Sequence, residues 1–194
     1  MDFDPVADSQ GLPSLRGVSS NTENFRINAD TGALVRDALI NGLPETARIA
    51  GVGYTNNFFG ATSTTLYGID ADSDQLLRFT DPNAGTVESV GALGVTTFDT
   101  FPAVGFDISG LTGVAYAALA IQPGLPFFSS LHTINLATGQ ATLVGQIGPE
   151  TGFAIRGIAA LPGGGAAIPE PATMLLLGTG LAGVAAQIRR RRKQ

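Results

Sequence analysis

Three stretches of this chain repeat one pattern: a short alternating strand, an Asn or Asp, a polar turn and a second strand. They are Phe25–Gly32, Leu66–Asp74 and Leu131–Gly139, with second strands at Ala33–Val35, Gln75–Phe79 and Ala141–Val144. Alternation directs Phe25 and Ile27, Leu66 and Ile69 (one residue out of phase), or Leu131 toward a core. Asn28, Asp70 and Asn135 can each accept a hydrogen bond from the turn backbone, and Gly32 and Gly139 can take the positive φ that a short hairpin requires. A lone hairpin cannot bury its apolar face, so the units must stack.

Gly51-Val52-Gly53-Tyr54 and Gly113-Val114-Ala115-Tyr116 add a strand upstream of two of the units. A repeat of three or four strands is the content of a propeller blade. The expected fold of residues 1–160 is therefore all-β, a propeller-like repeat of short antiparallel strands. The opening Asp2–Gly17 reads as the end of a blade whose earlier strands lie upstream, so the repeat is expected to be incomplete. The 26 glycines and 11 prolines suit many tight turns, and 44% apolar against 14% charged residues is enough to fold.

Charge excludes one class of partner. Arg189, Arg190, Arg191, Arg192 and Lys193 close the chain, leaving residues 1–188 with six arginines against sixteen acids, a net of −10. Such a body repels a phosphate backbone, so nucleic acid is not expected. The absence of cysteine removes disulfides, thiolate metal sites and a cysteine nucleophile, and the single histidine, His132, cannot build a histidine metal cage.

Pro162-Gly163-Gly164-Gly165 falls in a linker, residues 161–167, that ends the body. An uncharged run from Ala172 to Ile188 follows, and the basic block 189–193 stops it. Its 17 residues would make a helix of about 25 Å, short but able to cross a bilayer, with the basic end cytoplasmic. Gly178-Thr179-Gly180-Leu181-Ala182-Gly183 has the spacing of a dinucleotide loop, but no strand precedes it, so that reading is discarded.

Pro169-Glu170-Pro171, the leucine- and glycine-rich run and the arginine block together resemble the PEP-CTERM sorting domain of Gram-negative bacteria over residues 168–194. The resemblance implies export across the inner membrane, recognition by an exosortase and removal of the tail near Pro169-Glu170-Pro171. It also implies a producer of exopolysaccharide that forms biofilm. Met1-Asp2-Phe3-Asp4-Pro5 has neither the basic nor the apolar part of a signal peptide, so the expected start lies upstream.

The body resembles an exported family, domain of unknown function 4394. Asp2-Phe3-Asp4-Pro5-Val6-Ala7-Asp8, Asn24-Phe25-Arg26-Ile27-Asn28, Tyr54-Thr55-Asn56-Asn57, Thr64-Thr65-Leu66-Tyr67-Gly68-Ile69-Asp70 and Phe106-Asp107-Ile108 carry the likeness. It implies a propeller-like fold and transfers no catalytic residue.

Candidate sites are few. Asp70, Asp72 and Asp74 alternate like calcium ligands, with Asp81 at the twelfth position, but Gln75 stands where that loop needs glycine. A solvated acidic hairpin tip is the expectation, and calcium the only cofactor the pattern suggests. His132, with Asp107 or Asp99 remote in sequence, is expected on a strand surface, since no Gly-x-Ser-x-Gly elbow presents a nucleophile to it. Asn56-Asn57-Phe58-Phe59 joins amides to aromatics as sugar-binding surfaces do, although the ordinary expectation is that Phe58 or Phe59 plugs the core.

The chain thus reads as a non-enzymatic, exosortase-processed protein of the cell surface or extracellular matrix, with a structural or binding role in exopolysaccharide. Its expected partners are the exosortase and inner membrane during export, then exopolysaccharide. A carbohydrate-active hydrolase using Asp and Glu residues, or a calcium-binding surface module, are the alternatives.

Overall fold

Turn chemistry divides the chain into hairpins. The computed structural model describes residues 1–43, 47–97, 103–121, 128–148 and 154–161. The strands are β1 (Asp2–Phe3), β2 (Ser14–Val18), β3 (Asn24–Asn28), β4 (Leu34–Arg36), β5 (Ile49–Tyr54), β6 (Leu66–Asp70), β7 (Gln75–Asp81), β8 (Thr86–Ala92), β9 (Val104–Ile108), β10 (Ala115–Ile121), β11 (Phe128–Ile134) and β12 (Ala141–Ile147), with one short helix, α1 (Pro5–Ser9). They form three four-stranded antiparallel sheets in the orders β1-β2-β3-β4, β5-β6-β7-β8 and β9-β10-β11-β12. The all-β expectation holds.

Two expectations are corrected. Asp2–Gly17 does not close a preceding sheet; it supplies α1 and the first two strands of the first sheet, with Asp2 opposite Arg16 and Phe3 opposite Leu15. The repeat alignment also slips by one hairpin in its middle unit. Leu66–Asp74 belongs to the turn joining the second and third strands, whereas Phe25–Gly32 and Leu131–Gly139 join the third and fourth. The true counterpart is Phe79–Gly85. Asn28, Asp81 and Asn135 each accept from two turn N–H groups: Asp30 and Thr31, Asn83 and Ala84, Ala137 and Thr138. The glycines that follow, Gly32, Gly85 and Gly139, take φ of 71°, 68° and 82°. The slip arose because Asp70 caps its own turn, accepting from Asp72 N and Ser73 Oγ, and so imitates the motif locally.

Register sorts each sheet into two faces. In the second sheet Val52, Tyr54, Leu66, Leu77, Phe79 and Val87 form one buried cluster on the side of the first sheet. Ile69 and Leu76, on the opposite face, join Val104, Phe106, Ile108, Ala117 and Leu119 of the third. Each such fully buried aliphatic side chain contributes roughly 1.5–3 kcal/mol. The inner strands β5 and β9 touch through glycine: a Cβ on Gly51 would lie 2.9 Å from that of Phe106, and one on Gly53 would lie 3.3 Å from the Asp107 Cα.

The outer contacts between consecutive sheets repeat as well. Val87 N donates to Asn41 O at 3.2 Å, and Ala141 N to Leu93 O at 2.9 Å. In each case the turn of one sheet sits on the outgoing chain of the sheet before it. No helix among the described residues is long and apolar enough to cross a membrane. The run 172–188, the sorting motif Pro169, Glu170 and Pro171, and the basic block 189–193 lie outside the described residues.

Candidate functional site

The β5–β6 loop is tied at its base by its own hydroxyls and amides. Thr55 N donates to Thr65 O at 3.0 Å, Thr65 N to Thr55 Oγ1 at 2.8 Å and Thr64 Oγ1 to Thr55 O at 2.6 Å. Asn56, at φ 55°, donates from Nδ2 to Ser63 O, and Phe58 N closes a tight turn onto Asn56 O. Ser9 Oγ of α1 accepts from Gly60 N at 2.9 Å. Ala61 is buried, and it rather than either phenylalanine plugs the loop. Phe59 is 81% exposed and Phe58 37%, correcting the expectation that one of them fills the core. The inversion has a physical cause: the tight turn at Asn56–Phe58 throws the two rings outward and returns the chain to the core only at Ala61. Phe58 and Phe59 are thus exposed next in sequence to Asn56 and Asn57, and a ring face can cover sugar C–H groups while amides bond hydroxyls.

The carboxylates singled out in the sequence do not converge. Asp70 is buried and accepts from Arg48 N as well as from its turn. Asp72 pairs with Arg48 at 2.7 Å. Asp74 Oδ1 accepts from Thr97 N and Thr97 Oγ1, and Asp81 caps the β7–β8 turn. Asp70 is buried and Asp72 and Asp74 half-buried, which corrects the expected solvated tip there, while Asp81 is exposed; each of these acids holds a turn or a neighbouring segment. Among the described residues no three acidic or histidine side chains gather as a metal centre would require.

His132 is buried, not on a strand surface as expected. It lies opposite Ala117 and Leu143 on the face of β11 turned toward the second sheet. Its Nδ1 hydrogen-bonds Ser130 O at 3.2 Å, which places the ring proton on that nitrogen, and burial lowers its pKa against the pull of that bond. Asp107 stands opposite Tyr116, hence on the other face of the same sheet, and cannot orient the imidazole. Asp99 lies outside the described residues.

Sequence reasoning missed the polar knot between the first two sheets. Arg16, 2% exposed, donates to Tyr54 Oη, Asn24 Oδ1, Asp37 Oδ2, Pro82 O and Asn83 Oδ1 at 2.6–3.1 Å. Burial pushes the Asp37 carboxyl up, but its bonds and charges with Arg26 and Arg16 outweigh that and hold it below the usual range. Burial drives the Tyr54 phenol up to about 12 despite Arg16. Among the described residues no buried side-chain nitrogen or oxygen lacks a hydrogen-bond partner, so the knot is a structural clamp. Only an arginine on the inward face of an alternating strand hinted at it.

A cleft of about 560 Å³ opens on the far face of the third sheet, lined chiefly by Tyr116, Leu131, Ile147, Leu111 and residues 158–161. Residues 154–161 lie across the inner end of that face. A Cβ on Gly105 would lie 2.8 Å from Gly157 C, and Ser129 Oγ accepts from Ile155 N.

A family model described as a domain of unknown function, DUF4394, matches residues 1–159. A second, described as a PEP-CTERM protein-sorting motif, matches residues 167–192. No curated protein matches the chain.

Proposed function

The chain belongs to the DUF4394 family and ends in an exosortase sorting signal, and from that premise we propose that its body is a non-catalytic module that binds extracellular polysaccharide through the Phe58–Phe59 loop. The sorting signal makes it an exported protein with a membrane-anchored precursor. In this reading residues 1–160 are a propeller-like arc, 161–167 a linker, 172–188 the membrane-crossing helix and 189–193 its cytoplasmic stop. The exosortase acts near Pro169-Glu170-Pro171 and frees the body to the surface or matrix of a biofilm.

The observation that carries the binding reading is the exposure of Phe59 on a loop braced by hydrogen bonds at both ends. A braced loop loses little conformational freedom on binding, so ring–sugar contacts are not offset by ordering. The non-catalytic reading rests on the acids: Asp70, Asp72, Asp74 and Asp81 are each engaged in holding the fold. The test is a panel of neutral and acidic exopolysaccharides against the full-length chain in detergent. Retention without released sugar, lost in Phe59→Ala, is the expected result. Released oligosaccharide would favour the hydrolase, and retention unaffected by Phe59→Ala would move the site elsewhere.

A further inference from the structure

Consecutive sheets meet in one repeated way, and among the described residues nothing meets the corresponding half of that contact on the β3–β4 turn or on β12. In the contact between the second and third sheets, Gly139 of the incoming turn lies so close to β8 that its Cβ would be 2.3 Å from Gly91 O. Ala141 N, two residues on, donates to Leu93 O, two residues beyond Gly91. Between the first and second sheets the turn glycine is Gly85, whose Cβ would lie 2.3 Å from Leu39 O, and Val87 N, two residues on, donates to Asn41 O. The accepting residue is followed each time by a glycine of positive φ, Gly42 at 90° and Gly94 at 72°.

The unused halves match this pattern residue by residue. On β12, Gly145 stands where Gly91 stands on β8, and Ile147 is followed by Gly148 at φ 76°. In the first sheet Gly32 is the turn glycine and Leu34 lies two residues on, opposite Ile27 as Val87 is opposite Phe79 and Ala141 opposite Ile134. That register turns the Leu34 N–H away from β3. A Cβ on Gly32 or on Gly145 meets nothing within 4 Å.

The adjoining faces are apolar. Phe3, Leu15, Ile27 and Leu34 lie in register across the first sheet on the side away from Arg16, and Phe3 and Leu34 are 44% and 53% exposed. The cleft on the third sheet presents Tyr116, Leu131 and Ile147. Among the described residues no sheet covers either face.

We infer that a second copy of this chain docks head to tail, its first sheet on the third sheet of the first copy, with Leu34 N–H donating to the Ile147 carbonyl and Gly32 seated on Gly145. The occupant is a second copy because the two unused halves complement each other and continue an interface the chain already makes twice. Residues 154–161 of the first copy lie on β9 where an inner strand would lie.

The cysteine-free chain permits a clean test. Full-length chains carrying Leu34→Cys and Ile147→Cys, with different tags, are co-expressed and their membranes treated with a short thiol crosslinker. The expected product is a doubly tagged dimer, formed only when both variants are present. Gly145→Val in the Ile147→Cys chain should cut its yield at least tenfold while leaving the melting curve of the body unchanged, since the site is open in the single chain. No mixed dimer, a mixed dimer that survives Gly145→Val, or crosslinking to a different protein instead, would each overturn the inference.

Discussion

The carboxylate of Asp107 accepts a hydrogen bond from the backbone N–H of Ala160 at 2.6 Å, across 53 residues of sequence. Asp2 makes the same bond, also at 2.6 Å, to Tyr54 N. Each acid sits on the inner strand of one sheet and grips the inner segment that follows. Between β5 and β9 the corresponding position is Gly53, and the backbones close directly onto each other.

Loss of that grip should loosen residues 154–161 specifically. Asp107→Ala removes a charge-assisted bond of about 1.5–3 kcal/mol. Arg156, already exposed, should then be cut by trypsin several-fold faster while β5–β8 stay protected. An unchanged cleavage rate at Arg156 would show that packing against Gly105 alone holds the segment.

Two groups give stability opposite pH dependences. Asp2 is pushed up to about 6, chiefly by burial, opposed by its bond from Tyr54 N and reinforced by the charge of Asp107. Its folded pKa lies above the unfolded 3.8, so its contribution is full below about 4 and is lost as pH rises through 6. His132 is lowered by burial, so its contribution is full above about 6.5 and falls away as pH drops through its folded value. Asp2→Asn should therefore stabilise the body at pH 7 by on the order of 1 kcal/mol and leave a melting temperature that only falls on acidification below 6.5. An unaltered profile would mean that Asp2 is solvated.

Arg16 should be the costliest single polar substitution. Arg16→Met leaves Asn24 Oδ1 and the Tyr54 hydroxyl without their donor in a buried site and Asp37 paired with Arg26 alone, and should cost about 3–5 kcal/mol. Arg36→Met, which breaks an exposed pair with Glu23, should cost under about 1 kcal/mol. Chemical denaturation of both variants makes the comparison, and equal losses would contradict the clamp.

Calcium should leave the melting temperature unchanged at millimolar concentration. Asp72→Ala should remove only the partly exposed ion pair with Arg48, about 0.5–1 kcal/mol, whereas Asp70→Ala removes the acceptor of three hydrogen bonds, from Arg48 N, Asp72 N and Ser73 Oγ, and should cost more, about 1–3 kcal/mol. A calcium-dependent rise of several degrees, abolished by Asp72→Ala, would restore the metal site.

Alternating strands and Asn-to-Gly turns were legible in the sequence because each depends on a few adjacent residues: side chains alternate by backbone geometry, and Asn28 or Gly139 closes its own turn. The sorting motif was legible for the same reason, being contiguous from Pro169 to Lys193. By itself, then, the sequence determined an all-β body of hairpins and an exported fate. The partnership of hairpins was not local, and Asp70, which caps a turn just as Asp81 does, could not be told from it until strand order placed them on different connections. Tertiary structure alone decided that His132 faces the core, that Phe59 faces water, and that Arg16 finds Tyr54 and Asn83. An alternating strand has two faces, and only the sheets packed on either side decide which of them is buried.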